Sequence, residues 1–129
     1  MNARLVVLIS GSGSNLQAIL DASTSVELPA SVVSVISNKA DAYDLTRAID
    51  AGIDAIHFPK FETESRNEYD GRLAACVSTF LPHYVILAGW MRILSSSFLS
   101  AFPKKVINLH PALPDTFPGT HAIERAFEA

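Results

Sequence analysis

Apolar residues in this chain alternate between short unbroken runs and longer stretches with helical spacing. Leu5-Val6-Val7-Leu8-Ile9 is unbroken, the pattern of a strand buried on both faces in a parallel sheet. Asn15 to Ala22 follows as a helix, with Leu16, Ile19 and Leu20 on one side. Val32 to Ile36 reads as a second strand, and Tyr43 to Ala51 as a second helix closed by Gly52. Ala55 to Phe58 is a short third strand before Pro59, and a long helix from Asn67 to Leu81 ends at Pro82. Tyr84 to Ala88 is the fourth strand, followed at once by Gly89. Ser95 to Phe102 is a short helix stopped by Pro103, and Val106 to Leu109 is the fifth strand.

Strands and helices in alternation, joined by short connections, predict an α/β fold: a doubly wound, Rossmann-like parallel sheet with right-handed crossovers, as one domain over residues 1–129. Strand order is not legible at this level. In such sheets ligands bind at the carboxyl ends of the strands. The Gly-Ser turn after strand 1, Gly89-Trp90-Met91-Arg92, and Asn108-Leu109-His110 all fall at those ends.

Composition narrows the function classes. Of 129 residues, 49% are hydrophobic and 18% charged, which is ordinary for a globular protein. A net charge of −3 gives no general attraction to nucleic acid or to an anionic membrane, and Lys104-Lys105 is the one adjacent basic pair. The opening apolar run is too short to span a membrane and lacks a signal-peptide pattern, so the cytoplasm is the expected location. Cys76, the single cysteine, cannot form an internal disulfide, and its apolar surroundings read as a packing thiol.

Candidate chemistry concentrates at Val106-Ile107-Asn108-Leu109-His110-Pro111. Residues i and i+2 of a strand share a side, so Asn108 and His110 can face one reaction centre, with Pro111 ending the strand beyond them. An amide that polarises a carbonyl beside an imidazole that moves a proton suits acyl transfer to an amine. The plainer reading is a strand end with a solvated histidine.

In Ser10-Gly11-Ser12-Gly13-Ser14-Asn15-Leu16 the glycines allow close backbone approach, and the N–H groups opening the helix form an anion site. Leu16 stands where a dinucleotide fingerprint has its third glycine, and the Walker ending is absent. The alternative is a glycine-rich turn with Ser or Asn capping a helix. Trp90-Met91-Arg92-Ile93-Leu94 is apolar for a loop and reads as either a wall for a flat ring or core. Arg66 is either a solvated helix-start charge or a partner for a carboxylate ligand. His57, His83 and His121 taken singly carry no signal. No cluster has metal-ligand spacing, so no metal is expected.

Four collinear motifs carry a resemblance: Ser10 to Leu16, Ile36-Ser37-Asn38-Lys39-Ala40-Asp41, Leu87-Ala88-Gly89-Trp90-Met91-Arg92-Ile93-Leu94, and Asn108-Leu109-His110-Pro111. With them, essentially the whole chain resembles the phosphoribosylglycinamide formyltransferases, folate-dependent enzymes of purine synthesis. Formyltetrahydrofolate deformylases are a nearer alternative than methionyl-tRNA formyltransferases, and Pro111 with Phe117-Pro118-Gly119 favours the transformylases. The resemblance implies that Gly13, Ser14 and Asn15 hold the phosphate of glycinamide ribonucleotide. Met91, Arg92, Ile93 and Leu94 would border the folate ring, and Arg66 would assist the folate. Asn108 would bind the formyl oxygen of 10-formyltetrahydrofolate as it becomes an oxyanion. His110 would handle the amine proton, with Pro111 and His121 near the substrate. It implies no metal, nucleic acid or membrane, and a monomer or homodimer.

The chain also departs from the family pattern. The family continues beyond this point to a catalytic aspartate, further strands and a long helix. His121 to Ala129 reads as an amphipathic helix without a stop signal, which predicts C-terminal truncation. Such a chain would be impaired in turnover, would expose apolar surface, and could serve as a non-catalytic ribonucleotide- or phosphate-binding remnant. Asp115-Thr116 departs from the family's usual loop and leaves His121's role open.

Overall fold

The computed structural model describes residues 3–10, 14–24, 30–40, 42–90 and 94–109. Five strands, β1 (Ala3–Ile9), β2 (Ala30–Ser37), β3 (Asp54–His57), β4 (Tyr84–Ala88) and β5 (Val106–Leu109), form one sheet in the order β3-β2-β1-β4-β5. Every pairing is parallel. The helices are α1 (Ser14–Thr24), α2 (Tyr43–Asp50), α3 (Arg66–Ser78) and α4 (Ser96–Leu99). The doubly wound, Rossmann-like fold is therefore present. Among the described residues no helix is long and apolar enough to cross a membrane.

Alternation along β1 divides the core. Leu5, Val7 and Ile9 pack against Leu16, Ile19 and Leu20 of α1 and Ala48 of α2. Val6 and Leu8 pack on the other face with Tyr69, Leu73, Ala74 and Val77 of α3 and Phe98 of α4. All five residues from Leu5 to Ile9 are fully buried, which is why the run is apolar without a break. In β2 the alternation slips, because Leu5 pairs with Val32 but Val6 with Ser34. This bulge puts one extra residue opposite β1 and leaves the Ser34 hydroxyl buried.

The bounds of β4 and β5 agree with the sequence pattern, while several others shift. Tertiary pairing lengthens β1 and β2 at their ends, where Ala3 pairs with Ala30 and Ile9 with Ser37. β3 begins and ends one residue earlier than its pattern suggests, although Phe58 N–H still donates to Ser37 O at 2.7 Å. α2 ends at Asp50, and Gly52 (φ 75°) closes it: Gly52 N–H donates to Ile49 O and Ile53 N–H to Ala48 O.

α3 starts at Arg66 because Ser65 and Glu68 form a capping box. Glu68 N–H donates to Ser65 Oγ (3.1 Å), and Ser65 N–H donates to Glu68 Oε1 (3.0 Å). The Ser65 backbone bond accordingly lowers the Glu68 pKa. The helix stops at Ser78, short of Leu81. Bonds from Thr79, Phe80 and Leu81 N–H to the third residue back tighten its end, and Leu81, preceding Pro82, sits at φ 51°. Arg4 then caps that end, donating from Nε (2.9 Å) and Nη2 (2.7 Å) to Phe80 O. α4 is one turn rather than two. Its serines compete for the backbone, as where Ser100 Oγ donates to Ser96 O at 2.6 Å, and turns carry the chain on to Lys105.

Candidate active site

The chain leaves β1 toward β2 and β3, then returns to lay β4 on the other side of β1. The carboxyl ends of β1 and β4 therefore flank a topological switch point, where an open α/β sheet takes its ligands. Buried Ser10 ends β1, and α1 opens at Ser14 and Asn15. The first turn of α1 contains no acidic residue, so nothing on the helix opposes an anion at its positive end. Beside it, Gly89 leaves β4 at φ 82°. A Cβ there would meet nothing within 4 Å, so the backbone angle and not space calls for glycine.

Asn108 pairs with Leu87 of β4, which pairs with Leu8 of β1. Two strand spacings put the Asn108 backbone about 10 Å from β1. Its neighbours Val106 and Ile107 pack on opposite faces of the sheet, which fixes the direction of the strand, while Asn108 itself is exposed. Leu94 is half-buried in the cluster on the α3 side, together with Trp90. Both readings of the Trp90–Leu94 segment thus hold in part, since its two ends are core. Arg66 is exposed at the first position of α3, and its guanidinium makes no ion pair among the described residues. The structure gathers Ser14, Asn15, Leu94 and Asn108 at the carboxyl edge but brings Arg66 into contact with none of them. Gly13, Met91, Arg92, Ile93, His110, Pro111 and His121 lie outside the described residues, as does Asp115-Thr116. Among the described residues no group of His, Cys, Asp or Glu is placed to hold a metal ion.

Two features absent from the sequence reading support this edge. The first is a clamp on residues 58–65, the connection into α3. Arg72 Nε and Nη2 grip both oxygens of Glu64 (2.8 and 2.9 Å), and Nη2 also donates to Pro59 O (2.8 Å). The guanidinium lies 4.4 Å from the ring centres of both Phe58 and Phe61. Tyr69 Oη donates to Phe58 O at 2.6 Å. The Arg72 bond lowers the Glu64 pKa from 4.5 to about 2. Because the folded value is the depressed one, this contribution to stability is complete above about pH 4.5 and is lost as pH falls toward 2. Thermal melts of Glu64→Gln against the parent should therefore differ at pH 7 and converge in acid. Curves that stay parallel down to pH 2 would show that the clamp is not ionic.

The second feature is Asp70, fully buried on α3, whose Oδ2 accepts the Ser95 N–H at 2.7 Å. Its only sequence signal is a carboxylate on the apolar side of a helix, four residues from both Arg66 and Ala74. Cys76 is half-buried, and burial pushes its thiol pKa up against the opposing charge of Arg72, one helical turn away. Sequence adjacency hides that charge. Away from the edge, a groove of about 260 Å³ between α1 and α2 is lined by residues that bind one another. There Arg47 Nη1 donates to Gln17 Oε1 (3.0 Å), and Gln17 Nε2 donates to Asp21 Oδ1 (2.9 Å).

Comparison with known proteins converges on one family. The formyl transferase family profile matches residues 3–129. The phosphoribosylglycinamide formyltransferase of Schizosaccharomyces pombe is 49% identical, covering 100% of this chain and 68% of its own. The enzyme of that name from Escherichia coli is 44% identical, covering 96% of this chain and 58% of its own. The crystal structure of glycinamide ribonucleotide transformylase 1 from Symbiobacterium toebii superposes with a TM-score of 0.82 at 44% identity, over 98% of this chain and 60% of that one. The chain thus spans roughly three fifths to two thirds of the length of the relatives it matches.

Proposed function

This chain belongs to the formyl transferase family, and from that premise we propose that it serves phosphoribosylglycinamide formyl transfer in purine synthesis, in the cytoplasm. The formyl group of 10-formyltetrahydrofolate passes to the amine of glycinamide ribonucleotide. The observation that carries the reading is the row Leu8–Leu87–Asn108 across the switch point. It sets an exposed amide two strands from the β1–α1 turn, a span suited to a substrate with a phosphate at one end and an amine at the other.

In this reading the phosphate lies on Gly13, Ser14 and Asn15 at the positive end of α1. The folate ring lies against Met91, Arg92, Ile93 and Leu94, with Arg66 assisting and Pro111 and His121 near the substrate. The amine attacks the formyl carbon, forming a C–N bond and a tetrahedral oxyanion to which the Asn108 amide donates. His110 takes the proton that the amine sheds. Collapse breaks the bond from the formyl carbon to the folate nitrogen, which leaves with a proton.

The test is to incubate the full-length protein carrying these residues with 10-formyltetrahydrofolate, with and without glycinamide ribonucleotide. Formylated ribonucleotide is the expected product. Formate released equally without the ribonucleotide would mean that water is the acceptor, and the enzyme a deformylase. A binding measurement is independent of turnover. Trp90 is the sole tryptophan and its indole is half-buried at one end of the proposed ring wall, so its fluorescence should shift when 10-formyltetrahydrofolate binds. An unchanged spectrum alongside calorimetrically detected binding would place the ring elsewhere.

A further inference from the structure

We propose that Asp70 is a positioning residue for the ring pocket, holding the connection from β4 to α4 in the shape that the folate meets. The inference rests on the folate reading above and assigns a role within it.

The connection runs from Gly89 to Ser95. At its upstream end Trp90 packs into the α3-side cluster, and at its downstream end Leu94 does the same. Packing fixes depth but not register, since an apolar side chain can slide along an apolar surface. The bond from Ser95 N–H to Asp70 Oδ2 supplies a directional constraint at 2.7 Å, across 25 residues of sequence. Its anchor is rigid: Tyr69, Leu73, Ala74 and Val77 seat α3 on the sheet, the capping box fixes its first turn, and the Arg72 clamp holds the segment leading into it.

Packing alone does not account for a carboxylate here. Asp70 is fully buried, and taking a carboxylate out of water is costly unless its bonds are needed. Ser95 is the N-cap residue of α4 yet makes no side-chain cap bond, so Asp70 does the tethering that a cap would otherwise do. Three buried polar atoms around the same connection, Asp70 Oδ1, Trp90 Nε1 and Ser95 Oγ, have no hydrogen-bond partner among the described residues. Buried polar groups are nearly always satisfied, and three open ones around one connection mark a polar surround that a ligand or its waters complete.

The test compares Asp70→Ala, Asp70→Asn and a packing control, Leu73→Ala, by affinity for 10-formyltetrahydrofolate, affinity for glycinamide ribonucleotide, and Tm. Asp70→Ala is expected to weaken folate binding about ten- to a hundredfold, the loss of one hydrogen bond to a charged group, with ribonucleotide affinity within about twofold. Asp70→Asn can still accept the Ser95 N–H and should recover most of the folate affinity even if the alanine variant is too unstable to assay. Leu73→Ala should lower Tm without preference between the ligands. Equal loss of both ligands in the Asp70 variants, or no loss of either, would overturn the positioning role while leaving the folate reading intact. If the unsubstituted protein does not bind the folate, the functional reading fails, and the positioning role with it.

Discussion

Asn108→Ala should cut formyl transfer by about 10²–10³-fold, the loss that follows removal of one preorganised oxyanion donor. The argument begins in the backbone. Asn108 lies on a strand whose flanking residues, Val106 and Ile107, pack into opposite faces of the core, so its amide is aimed without being buried. An exposed, aimed polar group contributes little to folding, and Tm should move by less than about 2 °C, since surface changes are usually within ~0.5 kcal/mol. Binding of glycinamide ribonucleotide, anchored by its phosphate at α1, should also be nearly unchanged. The diagnostic result is a fall in kcat with KM for the ribonucleotide preserved, measured on the full-length protein. Parallel falls in binding and turnover would instead make Asn108 a substrate-holding residue.

The second large effect is on stability. Phe98 and Leu99 are adjacent on the one-turn helix α4, and burial separates them: Phe98 is 0% exposed and Leu99 42%. Phe98 packs 5.0 Å from the ring of Phe102 and belongs to the α3-side cluster with Leu8 and Leu73. Phe98→Ala removes that ring and leaves a cavity, costing about 3–5 kcal/mol. Against a typical domain stability of roughly 5–15 kcal/mol this is a drop in Tm on the order of 10–20 °C. Leu99→Ala should stay within about 0.5 kcal/mol of the parent. Urea melts of the two variants decide the matter, and comparable losses would mean that α4 packs with its other side inward.

Legibility followed the physics of each element. Tyr84–Ala88 and Val106–Leu109 were readable to the residue, because unbroken apolar runs end sharply where burial ends. α3 was misplaced at both ends for different reasons. Its start is signalled by Ser65 and Glu68 at capping-box spacing, a local signal overlooked beside the apolar pattern. Its end depends on Arg4, 76 residues away in sequence, gripping Phe80 O. Strand order is invisible because the parallel strands share much the same apolar character. The bulge at Val33–Ser34 is invisible because it exists only against β1. At the candidate site, the residue types and their strand-end positions were legible. Asp70 was not, since a buried carboxylate is recognised only once its distant partner is known.

The central place of β1 also bears on how the molecule assembles during synthesis. Pairing Leu5 with Val32 closes a segment of 27 residues, whereas pairing Leu5 with Tyr84 closes one of 79. The longer closure costs only about 1 kcal/mol more in chain entropy, but it must wait until the later strand exists. The β1-β2-β3 half, with α1 and α2 over one face, can therefore form while the ribosome is still making α3. Until β4 arrives, Val6 and Leu8 lack their cover, and the nascent half presents one oily face and an open strand edge. That interval is when the chain most needs a chaperone, and a slowing of translation just before Tyr84 would lengthen it.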